Sequence, residues 1–300
     1  MDRFSDVFIE IKQKNESGRE NKILSESKMI KCKYGAEIEV FDIDSIQQSR
    51  YYHMNKGKYF LLSVKNVLYE RKKRLLYYSK ILSNRLRELY GDIDSKTKFL
   101  ILGLGNLDII ADSLGGRVTK KIFITRNFKF ETPNLPEVSV FNTNVLGVTG
   151  IESYDIAKNL IKIVKPDIVI LIDSLCASSI DRLGKSFQIS NIGLTPGAGV
   201  NNARKHFNFK NVKMISIGVP LVVFAKTYVE NWLIDIINNS ISINEKNINQ
   251  NTIQYLKKQL KEYDFLENIV TPKDIDEMTK NCAYIISSAI NKSIFDFYEM

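Results

Sequence analysis

Histidine is scarce in this sequence, which has 300 residues and only two histidines, His53 and His206. Neither follows a buried strand or lies near a nucleophile, so a Ser-His-Asp triad or a cysteine protease with a histidine base is not predicted. The three cysteines, Cys32, Cys176 and Cys282, are odd in number, widely spaced and without a CxxC pair. A disulfide framework and a metal site are therefore not expected, and a reducing cytoplasm fits best.

Long apolar runs are also absent. The longest stretches, such as Ile168–Ile172 and Val219–Ala225, are far too short to span a bilayer, and residues 1–6 lack the apolar segment of a secretory signal. There is no P-loop, and the glycine loop Gly103–Asn106 lacks the third glycine of a dinucleotide-binding turn. We therefore expect neither membrane insertion nor a cofactor.

Acidic residues are outnumbered, with 34 Asp and Glu against 43 Lys and Arg, so the net charge is +9. Much of the excess lies in Lys65–Arg87, and Leu68, Leu75, Leu82 and Leu89 repeat every seven residues through this stretch and just beyond it. This spacing predicts an amphipathic helix with a basic outer face. The face is either simply solvated or attracts nucleic acid, or something bound to it. No DNA-reading module is present, so direct nucleic-acid binding is not expected.

Three continuous apolar runs predict buried strands: Phe99–Leu102, Asp167–Asp173 and Met214–Val219. A helical pattern from Ile151 to Val164 precedes the second run. Strands that are apolar on both faces and alternate with helices indicate an α/β fold, with a mostly parallel sheet and helices on both faces.

The ends of the chain differ from this centre. Residues 1–35 are rich in Lys, Glu, Ser and Asn, which predicts a flexible lead-in, and residues 36–300 are predicted to form a single α/β domain. Strand-like segments at Glu37–Asp44 and Tyr59–Val64 indicate a small β/helix region at the N-terminal side. At the other end, Thr271 is the predicted N-cap of a C-terminal helix, with Pro272 at its first position.

Two aspartates, Asp112 and Asp173, follow predicted strands, in the region beyond the carboxyl ends of parallel strands where ligands and active sites usually lie. Asp173 ends an apolar run and is costly to bury without a partner or a purpose. Each could instead be a helix cap or a hydrogen-bonded anchor. If the two face each other, close carboxylates push their pKa values apart, so that one holds a proton while the other activates water. That division of roles suits peptide hydrolysis.

Around these aspartates the sequence resembles the germination protease family, the spore endopeptidases of endospore-forming bacteria. The resemblance lies in an ordered set of motifs over residues 99–225, with weaker matches at Gly57–Tyr59 and Val270–Lys273. The motifs are Leu102–Asn106, Ala111–Gly115, Ile124–Arg126, Gly147–Glu152, Pro166–Leu175, Gln188–Gly193, Pro196–Asn201 and Ile217–Pro220.

The resemblance implies an α/β fold similar to that of the hydrogenase-maturation proteases, with no required metal or cofactor. It also implies a homotetrameric zymogen in the cytoplasm of the spore core, with the small acid-soluble proteins that coat spore DNA as substrates. The two essential aspartates of the family correspond to Asp112 and Asp173.

The family removes a short propeptide by self-cleavage at a stretch that resembles its substrate sites. The pattern is an acidic residue, the cut, three mostly apolar residues and then glutamate. Ser5–Glu10 has this spacing, so cleavage is expected between Asp6 and Val7. Phe8 is bulkier than the small residue usual at its position.

Several residues depart from the family pattern. Ala111 and Gly116 replace proline, Asn127 and Thr195 replace histidine, and the pair Asn202-Ala203 also differs. A second hypothesis is therefore a catalytically impaired member that binds spore proteins, or their DNA complexes, through the basic helix. A third is a metal-sensing processing enzyme, but the two histidines do not fall in suitable motifs for it.

Overall fold

The computed structural model describes residues 7–16, 27–194, 205–209, 212–240, 255 and 268–295. Within these residues nine strands form one sheet, in the order β1-β2-β3-β7-β8-β6-β4-β5, and β9 pairs with β8. The strands are β1 Lys28–Lys31, β2 Glu37–Ile43, β3 Gly57–Ser63, β4 Lys98–Leu104, β5 Glu137–Asn144, β6 Ile168–Ala177, β7 Ser186–Ser190, β8 Lys213–Phe224 and β9 Ile269–Val270.

Helices connect these strands and cover the sheet. In the described ranges no helix is long and apolar enough to cross a membrane. The helices are α1 Phe8–Glu16, α2 Ile46–Tyr52, α3 Lys72–Tyr90, α4 Leu114–Thr119, α5 Leu146–Thr149, α6 Ser153–Val164, α7 Ala225–Ser240 and α8 Ile275–Phe295. Short 3-10 turns lie at Lys33–Gly35, Ile110–Asp112, Arg126–Phe128 and Ile180–Arg182.

The sheet has two halves with different pairing. In the parallel half, β4 lies between β5 and β6, and β6 pairs with β8. In the antiparallel half, β1, β2, β3 and β7 pair in succession, and β7 joins the outer side of β8. The predicted α/β class and its parallel core are confirmed. The N-terminal β/helix region is not separate, because its strands continue the same sheet.

Both faces of the parallel half are buried, as continuous apolar strands require. Ile170 and Ile172 of β6 point toward α3, α4 and α8, whereas Val169 and Leu171 point toward α6. On the α6 face, α1 and α2 cover the neighbouring antiparallel half. Helices therefore lie on both faces, as predicted.

The basic helix α3 begins later than its leucine spacing suggests. Asn66 accepts a hydrogen bond from the Leu68 N–H at 2.9 Å, and Tyr69 has a φ of 57°, so the chain turns before the helix can start. Its end agrees with the sequence, because Gly91 has a φ of 72° and donates its N–H to the Arg87 carbonyl. Glycine adopts this conformation without strain.

The C-terminal helix α8 begins at Ile275, so Thr271 is not its N-cap. Val270 pairs with Val223 as part of β9, which keeps the backbone extended immediately before Thr271. The sheet contact therefore overrides the local capping signal at this position.

The N-terminal region differs from the predicted lead-in wherever the structure describes it. Val7 and Ile9 of α1 are 0% and 1% exposed, and β1 pairs with β2. Residue 35 is therefore not a boundary between an unstructured segment and the domain in these parts of the chain. Asp6 lies outside the described residues.

Candidate active site

Asp112 is held against the end of β4 by the glycine loop. Gly105 has a φ of 93°, and a Cβ at this position would lie 2.1 Å from the Asp112 carbonyl oxygen. Only glycine fits both the conformation and the space. The Asn106 N–H donates to Oδ2 of Asp112 at 2.7 Å. The loop therefore packs against the backbone of Asp112 and binds its carboxylate.

Two more glycines bring α4 onto β4 at backbone distance. A Cβ at Gly103 would lie 2.5 Å from the Gly115 carbonyl, and a Cβ at Gly115 would lie 2.5 Å from both the Leu104 amide nitrogen and its carbonyl oxygen. Side chains at these positions would push the helix off the strand. The 3-10 turn that ends at Asp112 is thereby fixed between β4 and α4.

Asp173 is buried, with 7% exposure, and accepts a hydrogen bond from the Ser174 N–H at 2.9 Å. The strand β6 does not end at Ile172, as the apolar run suggested, but continues to Ala177. Its neighbour β4 ends close to this point, since Gly103 pairs with Ile172 and β4 ends one residue later, at Leu104. Asp173 therefore lies inside its own strand but beside the point where the adjacent strand gives way to the glycine loop.

The structure brings the two aspartate-bearing segments together. The 3-10 turn Ile110–Asp112 packs against β6, which carries Asp173, and against β8. Asp112 is half-buried and Asp173 is buried, so both lie at the carboxyl edge of the parallel strands without full solvation.

Asp173 also belongs to a row of residues that crosses the sheet on the face covered by α6, α1 and α2. Asp173 pairs with Gly218, Gly218 with Gln188, and Gln188 with Leu61. Gly218 has no side chain, and the buried Leu175 fills the space above it, since a Cβ at Gly218 would lie 2.4 Å from Cδ1 of Leu175. Oε1 of Gln188 accepts a hydrogen bond from the Phe8 N–H at 3.1 Å. Sequence reasoning gave Gln188 no role, since no local pattern connects residues 180 positions apart.

Two of the cysteines lie in the core, and the two histidines lie near α2 and the start of β3. Cys176 and Cys282 are 1% and 0% exposed, and burial raises the pKa of the Cys282 thiol, as expected for core cysteines. His53 ends α2, and Nε2 of His206 lies 3.4 Å from Nδ2 of Asn55. In the part of the chain that the structure describes, no group of three or more His, Cys, Asp or Glu residues could hold a metal ion.

Three of the departures from the family pattern lie in the described residues. A Cβ at Gly116 would lie 2.1 Å from Cδ2 of Leu107, so the leucine fills the space that a larger residue would need. Asn127 lies in the turn Arg126–Phe128, which packs on the amino end of β5, away from the aspartates. Ala111 is 8% exposed. Thr195, Asn202 and Ala203 lie outside the described residues.

Comparison with known protein families identifies the family of this chain. A family model described as germination protease matches residues 6–264. The chain belongs to the germination protease family. It is therefore an aspartic-type endopeptidase by family, and the resemblance seen in its motifs is confirmed.

Individual relatives agree with this assignment. The chain is 35% identical to the germination protease of Clostridium tetani over 272 residues, which are 85% of this chain and 84% of the relative. It is 36% identical to that of Caldanaerobacter subterraneus, with 72% and 71% covered, and 42% identical to that of Bacillus subtilis, with 45% and 39% covered. A NiFe hydrogenase maturation protease from Thermococcus kodakarensis matches with 18% identity and a TM-score of 0.29, covering 46% of this chain and 80% of that one.

Proposed function

We propose that this germination protease degrades small acid-soluble spore proteins, with Asp112 and Asp173 as its catalytic pair. The observation that carries the proposal is the contact between the Asp112 turn and β6, the strand that holds Asp173. Two carboxyl groups at one sheet edge can divide the work, because only one of a close pair needs to be ionised at a time.

In this mechanism one carboxylate removes a proton from water, which attacks the carbonyl carbon of the scissile peptide. The other carboxyl group, in its protonated form, donates to the departing amine. The Asn106 N–H on Asp112 and the Ser174 N–H on Asp173 orient the two carboxyl groups for these transfers. No metal ion is required for either step.

We further propose that the chain is a zymogen that cuts itself between Asp6 and Val7. The position of Phe8 supports this, since its N–H is bound by Gln188 in the row that contains Asp173. Neighbouring strands lie about 4.8 Å apart, so Gln188 and Asp173 are separated by about 10 Å. The segment that follows the expected cut therefore already lies on the face of the sheet that carries Asp173.

The assembly proposed for this chain is a homotetramer in the spore core. Large apolar side chains on its surface support self-association: Phe130 is 99% exposed and Phe141, on the edge strand β5, is 42% exposed. Light scattering of the purified chain would give a mass of four subunits, and a monomeric mass at micromolar concentration would contradict the tetramer.

The substrate assignment is tested by incubating the purified chain with a small acid-soluble spore protein at mildly acidic and neutral pH. Mass spectrometry should then show fragments cut after acidic residues, together with loss of Met1–Asp6 from the chain itself. A chain that binds the spore protein but releases no fragments would instead support the catalytically impaired alternative.

A further inference from the structure

Glu10 occupies a built carboxylate site next to the end of β6. The carboxylate is buried, with 7% of its side chain exposed, and lies 3.1 Å from Nε of Arg182 through Oε1. Its Oε2 accepts a hydrogen bond from the Ser178 N–H at 2.7 Å. One carboxylate therefore meets a guanidinium and a backbone N–H at once, which is a strong and selective arrangement for this group.

The backbone on both sides of this site is held independently of Glu10. Nδ2 of Asn231, on α7, donates to the Ser178 carbonyl at 2.7 Å. This hydrogen bond orients Ser178, whose N–H donates to Glu10. Arg182 closes a 3-10 turn, and the Leu183 after it is 2% exposed, so the turn is anchored in the core. Such a preorganised site would keep its shape if another glutamate replaced Glu10.

The segment Val7–Glu10 connects this carboxylate site to the row of residues that contains Asp173. Phe8 is bound by Gln188 in the row of Asp173, and Glu10 reaches Arg182 two residues later in the sequence. The four residues after the expected cut thus contact the Asp173 row at one end and the Arg182 site at the other. If Glu10 and Arg182 formed only a structural ion pair, the rate of cleavage would not depend on which residue is bound to Arg182.

We propose that Arg182 and the Ser178 N–H form the subsite that reads the glutamate four residues after the cleaved bond, with Glu10 as its intramolecular occupant. This rests on the proposed function. A substrate chain displaces Val7–Glu10, whose residues Val7, Phe8 and Ile9 are buried, and presents its own carboxylate to the same two donors, so that substrate binding competes with the packing of α1. Arg182 is then a specificity-determining residue for protein substrates, remote from the bond that breaks.

Two 16-residue peptides test the subsite, one copying residues 1–16 and one carrying the change Glu10→Gln. The full-length chain is compared with its Arg182→Gln and Arg182→Lys variants, and cleavage between Asp6 and Val7 is followed by mass spectrometry. We expect the unaltered chain to prefer the glutamate peptide by about 10- to 100-fold in kcat/KM, because a hydrogen-bonded charge is replaced by a neutral amide. Arg182→Gln should reduce that preference to about 3-fold or less, and Arg182→Lys should keep an intermediate preference.

Arg85→Gln is the matched control. Arg85 also forms an ion pair, at 2.7 Å with Glu88, and its side chain is 27% exposed against 22% for Arg182. This variant should retain the full preference. Circular dichroism checks each fold, and if Arg182→Gln does not fold, the preference of the unaltered chain and of Arg182→Lys decides.

The possible failures are distinguishable. Equal cleavage of both peptides by the unaltered chain, or an unchanged preference in the Arg182 variants, overturns the subsite while leaving the proposed protease function intact. Absence of cleavage of both peptides and of a spore protein overturns the proposed function, and the subsite with it.

Discussion

The parallel and antiparallel halves of the sheet supply different residues and are held together in different ways. The parallel half supplies both aspartates, fixed by glycines that bring backbone against backbone at Gly103, Gly105 and Gly115. The antiparallel half contributes Gln188 and carries α1, whose side chains fill an apolar cluster with Phe41 and Tyr59. The parallel half is therefore built by close approach of the main chain and the antiparallel half by side-chain burial.

This difference shows why the halves respond to different changes. Where two backbones touch, an added methyl group has nowhere to go, because the backbone cannot adopt another rotamer. Where aromatic side chains fill a cluster, the damaging change is removal, which leaves a cavity. The contacts proposed for Phe8 and Glu10 require that α1 packs on the antiparallel half as part of the core.

The largest effect on stability is expected for Phe8→Ala. Phe8 packs edge-on against Phe41 and Tyr59, with ring centroids 5.5 Å and 5.1 Å away. Loss of the ring should lower the free energy of unfolding by about 4 kcal/mol. Urea unfolding measures this, with Phe130→Ala as the control, since Phe130 is 99% exposed and its loss should cost less than about 0.5 kcal/mol. Equal costs would show that α1 is not part of the core.

A smaller loss of stability, but a larger loss of activity, is expected for Gly115→Ala. Its methyl group would lie 2.5 Å from the backbone of Leu104, so α4 must move and carry the Asp112 turn with it. We expect a destabilisation of about 2 kcal/mol and at least a tenfold lower rate of spore-protein cleavage.

Gly147→Ala is the control for this prediction, because a Cβ there would meet nothing within 4 Å. Its stability and cleavage rate should match those of the unaltered chain. If Gly115→Ala also cleaved at the unaltered rate, the contact between α4 and β4 would not be what positions Asp112.

The smallest effect concerns His206, which lies between the halves. It reaches Asn55 before β3, while the adjacent Phe207 packs on Tyr154 of α6. Burial lowers the pKa of His206 below the usual 6.5, so folding favours its neutral form. The associated stability is present above pH 6.5 and is lost as the pH falls through the lowered pKa of the folded chain. His206→Asn should therefore shrink the drop in Tm between pH 7.5 and pH 5.5, and an unchanged drop would contradict this.

The sequence predicted the parallel half best. The runs at Phe99 and Ile168 are apolar at every position and the run at Met214 is interrupted only by Ser216 and Gly218, a pattern typical of strands covered on both faces, and the glycine loop marks where β4 ends. The same pattern singles out Asp173, a charge at the end of such a run, whereas Asp112 follows the glycine loop after β4.

The antiparallel half was harder to predict because its order comes from distant contacts. Residues 7–16 have a polar composition, yet Phe8 is buried against strands that lie more than 30 residues away. The pairing of Glu10 with Arg182 leaves no local signal, because neither residue belongs to a periodic pattern. Similarly, Thr271 carries a capping signal that the pairing of β9 with β8 overrides.

Asp112 and Asp173 are proposed to form the catalytic pair. The most direct measurement is the rate at which Asp112→Asn and Asp173→Asn variants cleave a small acid-soluble spore protein, with circular dichroism and Tm to verify the fold. Each substitution removes the proton-transfer group while keeping the shape, so each should lower kcat by about 1,000-fold or more. A folded variant of either kind that cleaves the spore protein at the unaltered rate would show that the substituted aspartate is not catalytic.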